Sequence, residues 1–202
     1  MHVRTQAERS ARTRSALLES AARSLSRHGY GNLVLEQVAR SAGYTRGALY
    51  HQFKDKEELA LAVIGWVDET WQREVGASVD LSDPAAGLIA LARGHAVFCR
   101  RDVARVAVAL RLEFSGQEHP VGREVERVSE TLVRRCTRLV NAGRRAGSIP
   151  AGPPARQVAQ AYVGALEGVV IGLAGQAPYD EEFAARAVAG VLGLPAAAAS
   201  RA

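Results

Sequence analysis

The chain has 202 residues, 48% apolar and 23% charged, a composition that excludes disorder as its main state. Its two cysteines, Cys99 and Cys136, exclude a disulfide-stapled secreted domain, and its longest apolar run, Val163 to Gly175, is 13 residues with Glu167 inside, short of the roughly 20 that cross a bilayer. The net charge of +5 is uneven: residues 1–56 hold ten Lys/Arg against four Asp/Glu, a net +6, while residues 57–202 hold 16 against 17, a net −1, so an anionic partner is expected at one end.

The chain opens on Arg4, Arg9, Arg12 and Arg14 with no apolar core behind them, so no signal peptide is expected. Ala11, Leu17, Leu18, Ala21, Ala22 and Leu25 share one face and predict a helix over 7–28, stopped by Gly29 and Gly31. A second helix is expected over 34–41, with Val34, Leu35 and Val38 apolar, then a break at Ala42-Gly43-Tyr44. Thr45 opens a third helix, 46–52, with Leu49 inward and Phe53 after it. Asp55 and Glu58 have capping-box spacing for a fourth helix that carries Leu59, Val63 and Trp66 or Val67 and runs to about Val79.

Asp83-Pro84 is a helix start. The fifth helix, to about residue 99, carries Leu88, Leu91, Ala92, His95 and Phe98, and another follows over 103–114. Residues 121–145 space Val125, Val128, Leu132, Cys136, Leu139 and Val140 by three or four. A Gly/Pro-rich loop, 147–154, precedes the last two helices, 155–174 and 180–193, and the tail from Pro195 is expected to be loose. The fold class is all-α, about nine helices: a basic three-helix head, 1–56, and a larger regulatory and dimerisation bundle, 57–202, joined by the fourth helix.

Gln37 to Phe53 reads QVARSAGYTRGALYHQF, a short helix, a turn containing Gly, and another short helix. This is the pattern of a helix-turn-helix, whose second helix enters the major groove of duplex DNA. Thr45 can cap that helix and lend its hydroxyl to a phosphate, and small residues at Gly47 and Ala48 allow close approach to DNA or to the supporting helix. Arg46, Tyr50, His51 and Lys54 then face the groove and backbone.

Residues 8–64 resemble the DNA-binding domain of the TetR family of bacterial transcriptional regulators. The stretch from Ala22 to Leu59 carries the likeness, ending in the family's Tyr-x-x-Phe-x-x-Lys-x-x-Leu pattern at Tyr50, Phe53, Lys56 and Leu59. Leu33-Val34-Leu35 departs from the family's Thr-capped start of the second helix, leaving Asn32 as the alternative cap. Beyond residue 64 the likeness is one of layout, nearest to multidrug-responsive regulators of efflux pumps. The resemblance implies phosphate contacts from Tyr50 and Lys56 and a recognition helix opened by Thr45 and Arg46. Arg46 is the candidate for a guanine edge, because its fork fits O6 and N7. Gly47 and His51 are further candidates at bases or sugars, and Arg4 and Arg9 at the adjacent backbone or minor groove.

Ala161, Gly164, Ala165, Gly168, Val169 and Gly172 form a small-residue stripe that fits either an internal contact or a second copy. The resemblance favours a four-helix dimer interface from 155–174 and 180–193 of each subunit. Trp66, His95, Phe98, Leu110, Phe114 and Leu132 are candidate lining for a small apolar or amphipathic effector, with Arg111, Glu113, Cys136 and Glu167 as polar contacts.

The expected function is a cytoplasmic, homodimeric, sequence-specific regulator of transcription, a repressor released from a palindromic operator by its ligand. No metal, cofactor, membrane partner or catalytic residue is expected. No phosphate loop, His-Glu-x-x-His step or nucleophile elbow occurs. The alternatives are a helical protein-interaction module without DNA binding and, behind it, a helical enzyme.

Overall fold

In the computed structural model of the protein, residues 5–77 and 82–195 are described; Arg4, the expected helix end at Val79 and the tail beyond Pro195 lie outside them. The described residues form nine α-helices and no strand: α1 (Gln6–His28), α2 (Leu35–Ser41), α3 (Arg46–Gln52), α4 (Lys56–Trp71), α5 (Pro84–Phe98), α6 (Val106–Glu113), α7 (Pro120–Ala146), α8 (Ala155–Leu173) and α9 (Tyr179–Val191). Two short non-α turns accompany them, a π-turn at Gln72–Gly76 directly after α4 and a 3-10 turn at Asp102–Arg105 before α6.

The chain divides into two compact units. The first comprises residues 1–68 and 102–125, and the second residues 69–101 and 126–202. The segment 1–56, expected as the head, lies wholly in the first, which also takes in most of α4 and all of α6. Helices α4 and α7 each begin in the first unit and end in the second.

In the first unit, Leu17, Leu18, Ala21, Ala22 and Leu25 of α1 are buried, as their spacing requires, together with Val38, Leu49, Phe53, Leu59 and Val63. Removing this apolar surface from water stabilises the unit by about 25 cal/mol per Å2. The Ser20 hydroxyl donates to the Val38 carbonyl at 3.0 Å, which ties α1 to α2. Helix α1 begins with a full capping box: Thr5 Oγ1 accepts from Glu8 N at 3.2 Å, and Glu8 Oε2 accepts from Thr5 N at 2.8 Å. The expected box at α4 is partial. Asp55 Oδ1 accepts from Glu58 N, but Glu58 returns to Lys54 N. Helix α2 has no side-chain cap; Asn32 instead donates to the His28 carbonyl at the end of α1.

In the second unit, α5, α8 and α9 pack on one another. Asp83 caps α5 by accepting from Ala85 N and Ala86 N, with Pro84 in the first turn. The fully buried Tyr162 donates its hydroxyl to the Leu88 carbonyl at 2.7 Å. Arg100 grips Asp180, only 1% exposed, through two hydrogen bonds of 2.9 and 2.8 Å, and Glu181 at 2.9 Å. Those bonds hold the Asp180 carboxyl below the usual carboxylate range.

Candidate nucleic-acid interface

The α2–α3 corner is built as the sequence requires. Gly43 takes φ +79°, a left-handed value that most side chains resist, and the Tyr44 and Gly43 amides donate back to Ala39 O and Arg40 O. Thr45 then caps α3, its Oγ1 accepting from Ala48 N at 3.2 Å. The cap uses the oxygen as acceptor and leaves the exposed O–H free to donate outward, so capping and a phosphate contact are compatible.

Burial splits α3 cleanly into two edges. Leu49 and Phe53 are 0% and 1% exposed. Arg46, Gly47, Tyr50, His51 and Lys54 are all exposed. A Cβ added at Gly47 would meet only Thr45 Oγ1, at 3.8 Å. Its smallness therefore serves no contact with the supporting helix and leaves room only on the outside. Arg46 is held across this outer edge, its Nε 3.2 Å from Glu36 Oε1 and its guanidinium 5.2 Å from the Tyr50 ring centroid. Both partners are exposed, so the pair is worth little in stability and releases its donors readily.

Lys56 opens α4, as expected. It is half-buried, with Nζ donating to the Gly31 carbonyl at 2.9 Å and lying 4.6 Å from the Tyr30 ring centroid. Here it braces the turn after α1, with further N–H donors left for a phosphate. Arg9 is exposed on α1, where its carbonyl accepts the Thr13 hydroxyl.

Contacts from Arg14 and Gln52 that position α3, and one from Glu113 that holds the turn after α1, escaped the sequence. Arg14 donates to the Gln52 carbonyl at 3.3 Å and stacks 4.5 Å over the Phe53 ring. Gln52 donates to Ser10 Oγ at 2.9 Å. Glu113, expected at an effector, instead accepts the amides of Tyr30 and Gly31. None of these pairs has a local spacing signal.

The candidate effector residues divide between the units. Trp66, Leu110 and Phe114 belong to the first; His95, Phe98, Leu132 and Glu167 to the second. Phe114 stacks on His119 at 4.5 Å and meets Tyr30 edge-on, and Phe98 lies under Arg101. Arg111 is exposed at the end of α6. His95 Nδ1 accepts from Trp71 Nε1 at 3.0 Å, and burial pushes this imidazole down to about 4, so it is neutral. Burial pushes the Cys136 thiol up to about 12. Among the described residues no group of three His, Cys, Asp or Glu side chains could hold a metal ion, and no helix is long and apolar enough to cross a membrane.

On α8, Ala161, Gly164, Gly168 and Gly172 are exposed, and Ala165 and Val169 half-buried. A Cβ added at Gly164, Gly168 or Gly172 would meet nothing within 4 Å. These glycines therefore serve no close contact within the chain. Ile171, Tyr179 and Phe183 on α8 and α9 are also exposed, at 65%, 58% and 46%.

Residues 17–63 match the family model described as bacterial regulatory proteins, tetR family. The chain is 37% identical over 68 residues to the HTH-type transcriptional regulator TtgR of Pseudomonas putida, a match covering 34% of this chain and 32% of that protein. The chain thus spans about a third of that relative's length. It is 27% identical over 172 residues to the HTH-type transcriptional repressor BepR of Brucella suis biovar 1, covering 82% of this chain and 81% of that one. Its fold matches the crystal structure of AibR in complex with isovaleryl coenzyme A and operator DNA with a TM-score of 0.76 at 18% identity, covering 91% of this chain and 100% of AibR.

Proposed function

The chain belongs to the TetR family of bacterial regulatory proteins, and from that premise we propose that it is a sequence-specific DNA-binding regulator of transcription. The carrying observation is the two-edged α3, with Leu49 and Phe53 buried and Arg46, Tyr50, His51 and Lys54 exposed on the opposite edge. A plain interaction module leaves that basic, aromatic edge beside a phosphate-ready Thr45 without a purpose. The relatives' names support the reading, since TtgR is a transcriptional regulator and BepR a transcriptional repressor.

The protein acts as a homodimer in the cytoplasm, without enzymatic activity or a cofactor. A single α3 reads too few base pairs for selectivity, whereas two related by a two-fold axis read a palindrome with half-sites about one helical turn apart. The exposed face of α8 and α9 supplies the joint. Its glycines let two helices approach closely, and Ile171 and Phe183 supply apolar surface for a partner copy.

Regulation is by ligand release. A small apolar or amphipathic effector favours a state in which the two recognition helices no longer fit successive grooves. Emptying a nearly full operator needs about 5.5 kcal/mol of differential affinity. AibR, crystallised with isovaleryl coenzyme A and operator DNA, supports this reading by its fold. Fluorescence anisotropy tests the DNA step, with palindromic duplexes from the region upstream of the gene against scrambled duplexes at about 50 to 200 mM salt. A preference for the palindrome is expected, and equal affinity at every salt overturns the reading.

A further inference from the structure

The first 56 residues hold four acids: Glu8, Glu19, Glu36 and Asp55. Three have structural partners of their own. Glu8 completes the capping box of α1, Glu19 pairs with Arg23 on the same helix, and Asp55 caps α4 and lies 3.5 Å from Lys54. The partner of Glu36 is instead the candidate base reader. Glu36 stands in the first turn of α2, its side chain 42% exposed, with Oε1 3.2 Å from Arg46 Nε. Its carboxylate therefore lies beside the outer edge of α3, among the cations expected to face duplex DNA. An acid there repels phosphates and weakens binding to a polyanion, so its presence calls for a compensating role.

The geometry of the pair supplies one. Guanidinium carries its donors in a planar fork, and the two terminal nitrogens suffice for guanine O6 and N7. Glu36 makes its nearest approach at Nε, which leaves the terminal pair for a base, and the Tyr50 ring lies 5.2 Å from the same guanidinium. An arginine held between a carboxylate and an aromatic ring has fewer orientations to lose on meeting a base than one free in solvent. The pair is loose in bulk water, but a groove filled by α3 excludes water, and there the same charges attract more strongly. Helix α2 is itself fixed, by the Ser20 bond to Val38 O and by the Gly43 corner, so the carboxylate is presented from a rigid element.

We propose that Glu36 is the positioning residue for base reading by Arg46. The carboxylate holds the guanidinium at Nε so that Nη1 and Nη2 meet guanine, and it lowers affinity for duplexes that lack a guanine there. On such a duplex the terminal donors find no matching pair of acceptors, while the Glu36 charge remains as repulsion. The residue thus lowers affinity in general and raises discrimination, which is specificity built by disfavouring the wrong partner. This rests on the DNA-binding reading above and adds the residue that sharpens it.

Fluorescence anisotropy of the full-length protein tests the proposal with three duplexes: the preferred palindrome, the same palindrome substituted at the symmetric positions where Arg46→Ala relaxes discrimination, and a scrambled sequence. Glu36→Gln keeps the shape of the side chain and removes its charge. It is expected to bind the scrambled duplex about twofold or more tightly than the wild type, while its preference for the favoured base falls about threefold to tenfold. In an Arg46→Ala background the same substitution is expected to leave discrimination unchanged, because Glu36 acts through Arg46. Full discrimination by Glu36→Gln, an equal weakening on every duplex with a lowered melting temperature, or the same loss of discrimination in the Arg46→Ala background overturns the proposal. Should Glu36→Gln fail to fold, Glu36→Asp decides: its charge ends one methylene short of Arg46, so part of the discrimination is expected to go, and full discrimination overturns the proposal. A wild type without any sequence preference overturns the DNA-binding reading and this inference together, whereas a wild-type preference that survives in Glu36→Gln overturns this inference alone.

Discussion

The Glu113 carboxylate at the end of α6 accepts the amide of Tyr30 at 2.6 Å and, through its other oxygen, that of Gly31 at 2.7 Å. It thereby satisfies the turn that follows α1, across 83 positions of sequence. The same turn accepts Lys56 at Gly31 O, so an acid and a base hold it from two elements of the first unit. Glu113→Ala leaves both amides without their acceptor and is expected to destabilise the first unit by about 1 to 3 kcal/mol. Hydrogen exchange checks this. The Tyr30 and Gly31 amides should lose protection while those around the buried Tyr162 keep theirs.

Lys56→Ala should weaken binding to all duplexes about equally and lower the salt slope by about one. Because Lys56 also seats on Gly31 O and Tyr30, this variant should lose thermal stability that Lys54→Ala, on an exposed side chain, retains. Anisotropy at several salt concentrations and a melting curve for each protein separate the two effects.

Ile171→Glu places a charge on the exposed face of α8, where the chain itself offers no close neighbour to the adjoining glycines. Sedimentation should show a dimer for the wild type and a folded monomer for the variant, with operator affinity lost. A variant that stays dimeric would move the joint elsewhere.

His95 gives a pH dependence whose sign is fixed. Its pKa falls from an ordinary 6.5 to about 4 in the folded protein, so between these values the unfolded chain binds more protons. Stability is full above about 6.5 and falls as pH drops toward 4, by up to about 3 kcal/mol. Urea midpoints across that window should show the decline in the wild type and a flatter line in His95→Gln.

Much of this molecule was legible along the chain because its signals are local. Apolar residues three and four apart gave α1, α5 and α7; Asp83-Pro84 gave the start of α5; Gly43 and Thr45 gave the corner before α3. The small residues of α8 were legible as a stripe, and four of them, Ala161, Gly164, Gly168 and Gly172, are exposed. What was not legible depends on distant partners. The π-turn at 72–76 is held by Arg135 from α7, and Glu113 accepts amides 83 and 82 positions away. Lys56 was legible as a phosphate candidate, but nothing near it in sequence announces its seat on Gly31 and Tyr30.

The central claim is that the exposed edge of α3 reads bases, and Arg46 tests it most directly. Selection of bound duplexes from a randomised pool should give the wild type an ordered preference across a palindrome. For Arg46→Ala the account predicts relaxed discrimination at the one symmetric pair of positions that Arg46 contacts, at a cost of about 1 to 3 kcal/mol against the preferred base. An unchanged ranking of sequences, with affinity lowered uniformly or not at all, would contradict it.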